Sequence, residues 1–241
     1  MRSALRREVG LAAVLSAVAG YLDAVGFIVL GGQFVSFMTG NTTELATFLG
    51  TGDFAGVGLM ALLIGMFFLG VVLGAVAARF GDSRTTVLIV TTALLAATAV
   101  ATLLVEPRTA VMVGLPTAMG AINATFLKHG EVSIGLTYMT GTLVKAGQQL
   151  VDAFVGGPRW GWVRNLSLWA ALALGGLLGA VSHRLLGPSI AVWIAVGVVL
   201  AVTVAVATVR RRTGRWQDGG AVRRYRETPV LGGSGGPDRI S

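Results

Sequence analysis

The sequence predicts an all-α polytopic membrane protein of about six transmembrane helices, arranged as two three-helix repeats of inverted topology with a broken polar segment after the first helix of each repeat. Three observations carry that expectation. The chain of 241 residues is 54% hydrophobic with only 12% charged residues and a mean hydropathy of +0.76, too apolar for a water-soluble domain of this length. Its apolar runs are long enough to cross a hydrocarbon core of about 30 Å. The chain also repeats itself. Gly120-Ala121-Ile122-Asn123-Ala124 matches Gly20-Tyr21-Leu22-Asp23-Ala24 at an offset of 100, and Met139-Thr140-Gly141-Thr142 matches Met38-Thr39-Gly40-Asn41 at 101. A third match, at 105, sets Leu174-Gly175, Gly179-Ala180-Val181 and Arg184 against Leu69-Gly70, Gly74-Ala75-Val76 and Arg79.

Residues 1–8 are a basic N-terminus with Arg2, Arg6 and Arg7, and the first repeat covers 9–105. Its first span is 9–30. The basic start and Ala17-Val18-Ala19 would also suit a signal peptide, but the matching segment around Asn123 lies in mid-chain, where no signal peptidase reads it. After Gly31-Gly32 come a semi-polar segment, 33–53, and a second span, 54–78. There Gly70 and Gly74, like Gly175 and Gly179 in the second copy, stand one turn apart on one helix face, the spacing that lets a neighbouring helix approach closely. A polar link, 79–84, leads to the third span, 85–105. Glu106-Pro107-Arg108 then separates the halves, since proline interrupts a helix. The second repeat, 109–209, runs through a span at 109–127, a polar stretch at 128–161, and spans at 162–182 and 188–209. The tail, 210–241, holds eight Arg against Asp218, Glu227 and Asp238. Gly-rich and short of large apolar residues, it is expected to be disordered.

Orientation follows from Lys and Arg, which are retained on the cytoplasmic side. With the N-terminus inside, six spans leave only Arg108 and Arg184 outside. An eight-span alternative, with 33–50 and 132–156 as full spans, would put Arg79, Arg84, Lys128 and Arg184 outside. Six spans sort the charges better. Three spans per copy is an odd number, so the two copies lie inverted in the bilayer, as in many secondary transporters.

Composition also excludes chemistry. The chain has no cysteine, so disulfides and thiolate nucleophiles are out, and the imidazoles of His129 and His183 have no partners at metal-ligand spacing. No catalytic residue, metal or cofactor is expected, and the chain is read as a non-enzyme. The net charge of +8 resembles a nucleic-acid footprint until it is mapped to the tail, so no nucleic-acid partner is expected.

The candidate substrate or ion site consists of Asp23, Thr39, Asn41, Thr42, Glu44, Asn123, Thr140, Thr142, Lys145 and Gln148. A carboxylate within a span costs about 2.5–3.5 kcal/mol at the bilayer centre, so Asp23 calls for a partner or a wet cavity, or is protonated. Asn123, at the equivalent place, keeps the shape without the charge. Gly40 permits a tight backbone, and Asn41 or Thr42 can cap a helix running from Thr43 with Glu44 in its first turn. A capped helix end in a protein-lined cavity suits an anion or a polar solute. Thr140-Gly141-Thr142 repeats the break, followed by Lys145 and Gln148. Broken backbone at membrane depth is tolerated only where protein or water satisfies it, so paired breaks point to a central site. The open alternatives are a structural role for Asp23 and two interfacial loops for the breaks.

Asp23-Ala24, Gly26-Phe27 and Phe34-Val35-Ser36-Phe37-Met38-Thr39-Gly40-Asn41-Thr42 resemble the YoaK family of bacterial integral membrane proteins, an uncharacterised domain family, over roughly residues 8–210. Asn123-Ala124 and Thr140-Gly141-Thr142 are similar to that family's second copy. The resemblance implies a bacterial inner-membrane protein of about six spans and supplies no functional residues. With charge sorting it places both termini in the cytoplasm. The expected function is a small-solute transporter or channel with its site between the repeats; the alternative is a scaffold or assembly partner whose basic tail docks lipid or protein. The partners expected are the lipid bilayer and a small polar solute, with homo-oligomerisation left open.

Overall fold

The computed structural model describes the backbone over residues 2–80, 82–128, 131–132 and 139–212, and the side chains over 9–80, 82–125 and 139–210. Its α-helices are α1 (Arg2–Leu30), α2 (Met38–Thr51), α3 (Phe54–Ala77), α4 (Ser83–Leu104), α5 (Pro107–Ile122), α6 (Met139–Phe154) and α7 (Gly161–Arg212). A 3-10 turn, Asn123–Phe126, tightens the end of α5, and Leu127–Lys128 pairs antiparallel with Glu131–Val132. Helix α7 is two arms rather than one rod. Gly187 holds φ 82° and ψ 172°, which glycine adopts without a Cβ clash, and Pro188 has no N–H to carry the ladder on.

Among the described residues, four helical stretches are long and apolar enough to cross a membrane: Val9–Leu30, Phe54–Ala77, Ser83–Leu104 and Gly161–Arg210. Phe68, Leu103, Leu174, Leu177 and Leu178 are exposed on them, a surface suited to acyl chains rather than water. Leu15, Leu22, Leu63, Leu95, Leu115 and Met119 fill the interior. The buried Thr91, Thr98, Thr117 and Thr203 each donate a hydroxyl proton to the carbonyl one turn earlier, which satisfies them where no water is at hand.

Two helix pairs come into backbone contact, each through glycine. A Cβ added at Gly175, Gly179 or Gly20 would land on the carbonyl of Ala17, Tyr21 or Leu172, all between α1 and the first arm of α7. A Cβ at Gly70, Gly74 or Gly120 would meet the carbonyl of Thr117, Ala121 or Phe67, all between α3 and α5. The two sets are the same six positions: 17, 20 and 21 become 117, 120 and 121 on adding 100, and 67, 70 and 74 become 172, 175 and 179 on adding 105. The first helix of each half thus packs on the second helix of the other. In both pairs the residue numbers rise together, so the paired helices run parallel. Helix α4 and the second arm of α7 run antiparallel. Arg210 pairs with Asp82, Thr92 Oγ1 lies 3.1 Å from Thr203 Oγ1, and Ser189 Oγ lies 3.5 Å from the Thr102 carbonyl.

Helices α2 and α6 have 14 and 16 residues, about 21 and 24 Å at 1.5 Å per residue, less than a hydrocarbon core needs. Gly31 and Gly32, with φ 78° and 112°, turn the chain back at the end of α1, so that Ser36 meets Asp23 about 10 Å below that end. Helix α2 starts at this depth. Gly52 closes it in a left-handed conformation, and Asp53 caps α3 by accepting from the N–H groups of Ala55 and Gly56. Phe48 packs over Gly56, folding α2 against α3 as a hairpin. Helix α6 returns along α7 in the same way, with Asn165 Nδ2 donating to Gln149 Oε1 at 2.9 Å.

One local expectation changes. The sequence suggests a helix from Thr43 capped by Asn41 or Thr42, whereas α2 starts at Met38 and takes Gly40 and Asn41 into its first turn. Gly40 serves packing rather than a turn, because a Cβ there would strike the Phe37 ring. The Asn41 amide is drawn instead to the backbone of Phe34. His129 and residues 213–241 of the tail lie outside the described residues.

Candidate functional site

Two side chains pin the returning loop between α1 and α2. Asp23 of α1 accepts twice from Ser36, from its N–H at Oδ1 (2.9 Å) and from its hydroxyl at Oδ2. Val35 is fully buried beside Gly26, where a Cβ would displace it. Asn41 of α2, also fully buried, grips Phe34 from the other side: Oδ1 accepts from its N–H at 3.3 Å and Nδ2 donates to its carbonyl at 2.7 Å. Both groups of one peptide residue are thereby satisfied by one amide. Asn41→Leu strands them, at about 1–3 kcal/mol for each buried unsatisfied group. A clear fall in the melting temperature of the detergent-solubilised protein is expected, with Asn41→Asp intermediate because it keeps only the acceptor.

The clamped loop carries an aromatic cluster. The rings of Phe27 and Phe34 lie 5.0 Å apart, and Phe37 meets Phe34 edge-on at 5.2 Å. Beneath it a cavity of about 270 Å³ is lined by Ser36, Phe37, Met38 and Thr39 at the start of α2, by Met139, Thr140 and Gly141 at the start of α6, and by Phe67. Phe67 falls midway along Phe54–Ala77, which sets the cavity near the middle of the span. Phe37 supplies no side-chain cap to α2, so the amides of its first turn, carrying the positive end of the helix dipole, lack a side-chain acceptor. The lining is uncharged and mixed, with the hydroxyl residues Ser36, Thr39 and Thr140 set among Phe37, Met38, Phe67, Met139 and Gly141. It offers hydroxyls, backbone amides and aromatic edges, the means to hold a small polar or anionic solute.

The candidate residues divide around this cavity. Thr39 and Thr140, one from each copy, line it together. Asp23 stands one hydrogen bond behind the wall, through Ser36. Asn41 serves the loop clamp. Thr42 is exposed and donates its hydroxyl proton to the Met38 carbonyl at 2.8 Å, while Glu44 is partly buried farther along α2. Asn123 is buried in the 3-10 turn and donates to the Met119 carbonyl at 2.8 Å. Thr142 is half-buried, Lys145 and Gln148 are exposed on α6, and none of the three lines the cavity. Gly70, Gly74, Gly175 and Gly179 lie at the two helix seams. The reading from residues alone passed over Ser36 and Phe67. The signal for Ser36 was its standing as the one hydroxyl in Phe34-Val35-Ser36-Phe37.

All of these elements fall inside a single match to known proteins. The family profile described as "Protein of unknown function (DUF1275)" matches residues 11–205. The chain belongs to the DUF1275 family. Asp23, Ser36, both short helices and the glycine seams lie within the matched span, as do the motifs that resemble the YoaK type, whereas the basic tail falls beyond it. The DUF1275 chain is also 37% identical over 215 residues to the UPF0700 transmembrane protein RA0705 of Rhizobium meliloti (strain 1021), covering 88% of this chain and 91% of that relative. No solved structure matches. This DUF1275 protein is thus a transmembrane protein of a family defined by sequence, and its chemistry has to be argued from its own geometry.

Proposed function

We propose that this DUF1275 protein is a small-solute transporter or channel of the bacterial inner membrane, non-catalytic, with its site between two inverted repeats. The observation that carries the reading is the meeting of the first turns of α2 and α6 at one cavity near mid-span, into which each copy brings a hydroxyl residue, Thr39 and Thr140. Short helices that start at membrane depth and aim their N-termini at a common cavity are a device for holding a polar solute where lipid cannot. The exchanged glycine seams support the repeats, because each half makes with the other the contact that the other makes with it.

The helix directions support six spans over eight. Six alternating spans, counting α5 with its 3-10 turn and the two arms of α7, require α4 and the second arm of α7 to run antiparallel, as Arg210–Asp82 and Thr92–Thr203 have them. Eight alternating spans would make them parallel. Asp82, Arg84 and Arg210 then share one end of the bundle, the cytoplasmic one by the distribution of positive charge, with both termini on that side.

The cysteine-free chain makes the test direct. Single cysteines at Thr42 and Thr142 are expected to react with a membrane-impermeant thiol reagent from opposite sides, Thr42→Cys from outside in intact cells and Thr142→Cys from inside in inverted vesicles. Cargo is identified at the lining positions, by one solute that protects both Thr39→Cys and Thr140→Cys. Labelling of both from the same side overturns the inverted body and the alternating access built on it.

A further inference from the structure

We infer that Ser36 is the residue through which the protonation of Asp23 is read at the cavity, and that it makes the site bind hydrogen-bond-accepting solutes together with a proton. The inference rests on the transporter reading and deepens it. A seryl hydroxyl has one proton to give and two lone pairs with which to accept. With Asp23 ionised, that proton is committed: Ser36 Oγ donates to Oδ2, while the Ser36 N–H donates to Oδ1 at 2.9 Å. Ser36 is at the same time part of the cavity wall and only 6% exposed, so the cavity is the one place where its hydroxyl can meet a partner other than Asp23. When Asp23 takes up a proton, its new O–H donates to Ser36 Oγ, the backbone bond to Oδ1 stays, and the seryl proton is released toward the cavity. The wall then presents a donor beside the uncapped amides of α2.

The sign of the coupling follows. An acceptor in the cavity, such as a carbonyl, sulfoxide or oxyanion, gains a hydrogen bond only when Asp23 is protonated, so solute and proton favour each other reciprocally. Among the described side chains nothing charged pairs with Asp23. Its polar neighbours are the hydroxyl and amide of Ser36 and the amide of Val35. The elements chiefly packed against α1 are α7 and α5, whose titratable residues within the described side chains are Arg108 on α5 and Arg164, His183, Arg184 and Arg210 on α7. None of these forms an ion pair with Asp23. The second copy cannot repeat the device, because Asn123 stands where Asp23 does and carries no group that titrates.

The test is an infrared titration of the Asp23 carboxyl band in the full-length protein in nanodiscs, with Asp23→Asn used to assign the band. The probe is dimethyl sulfoxide, a neutral molecule that only accepts hydrogen bonds and so exerts no charge of its own. In the wild-type protein it is expected to raise the midpoint of the titration by about half to one pH unit, the shift given by a three- to tenfold preference for the protonated form. Ser36→Ala should abolish that shift and Ser36→Thr should restore it. If Ser36→Ala does not fold, Ser36→Cys, a weak donor of similar size, should cut the shift several-fold. An undiminished shift in Ser36→Ala or Ser36→Cys, or no shift in the wild-type protein, overturns the inference. Flux measured in liposomes separates the two claims. Solute flux without the Ser36-dependent shift leaves the transporter reading standing and removes the relay; the shift without flux for any solute does the reverse.

Discussion

Replacing Gly175 by leucine is expected to unseat the first arm of α7 from α1 and to cost the detergent-solubilised protein its monodispersity. The added carbons would fall on the Ala17 carbonyl, a backbone group that cannot rotate aside as a side chain can, so the helices have to part along the whole seam. Overpacking a well-packed site costs about 1–3 kcal/mol. The upper end applies here, because helices in lipid have no hydrophobic drive to hold them together once close packing is lost. At about 2–4 °C per kcal/mol for a chain of this size, the melting temperature should fall by roughly 10 °C. Gly70→Leu should do the same, since its added carbons meet the Thr117 carbonyl at the equivalent place. Gly74→Leu should follow, through Ala121. Gly58→Leu is the control, on α3 but with nothing within 4 Å of its Cβ position. If Gly175→Leu melts with Gly58→Leu and elutes as one sharp peak, the seam is not what holds the pair.

These glycines also mark the boundary of what the residues disclose. That Gly70, Gly74, Gly175 and Gly179 belong to close contacts was legible from their spacing and duplication. Which helix each one meets was not, because the pairing crosses from one half of the chain to the other, and periodicity within a helix carries no address for its partner. An interruption near each motif was legible but was placed too late in the chain, because 38–42 and 139–142 form the first turns of α2 and α6. Their meeting at one cavity depends on the chain turning back at Gly31-Gly32, and the same turn brings Ser36 to a carboxylate thirteen positions earlier. Asn41 shows the limit most plainly. Its amide could cap a helix or satisfy a strained loop, and local sequence favours the cap. The choice goes to Phe34 only because the clamped loop offers a donor and an acceptor at once. The end of α5 is a further case: Asn123, which the repeat sets at the place of Asp23, donates to the Met119 carbonyl where the helix tightens into its 3-10 turn.

Asp23→Asn and Asp23→Leu are expected to part company, and their divergence separates charge from scaffolding. Asparagine keeps an acceptor for the Ser36 N–H and offers an N–H to Ser36 Oγ, the arrangement reached when Asp23 is protonated. The loop should therefore stay clamped and the protein melt close to wild type. What is lost is the ability to titrate, so solute binding should become independent of pH across the range where the wild-type protein varies, and proton-coupled uptake into liposomes should vanish. Leucine removes both acceptors and leaves the Ser36 amide and hydroxyl buried without partners, at about 1–3 kcal/mol each, so it should melt well below wild type whatever the pH. If both variants unfold alike, Asp23 is a strut and the site needs another source of coupling. If Asp23→Asn folds and still carries solute with wild-type pH dependence, the carboxylate is not the coupling group. Asparagine already occupies the matching place in the second copy at Asn123, so the chain itself carries both versions, and only the first can exchange a proton with the cavity.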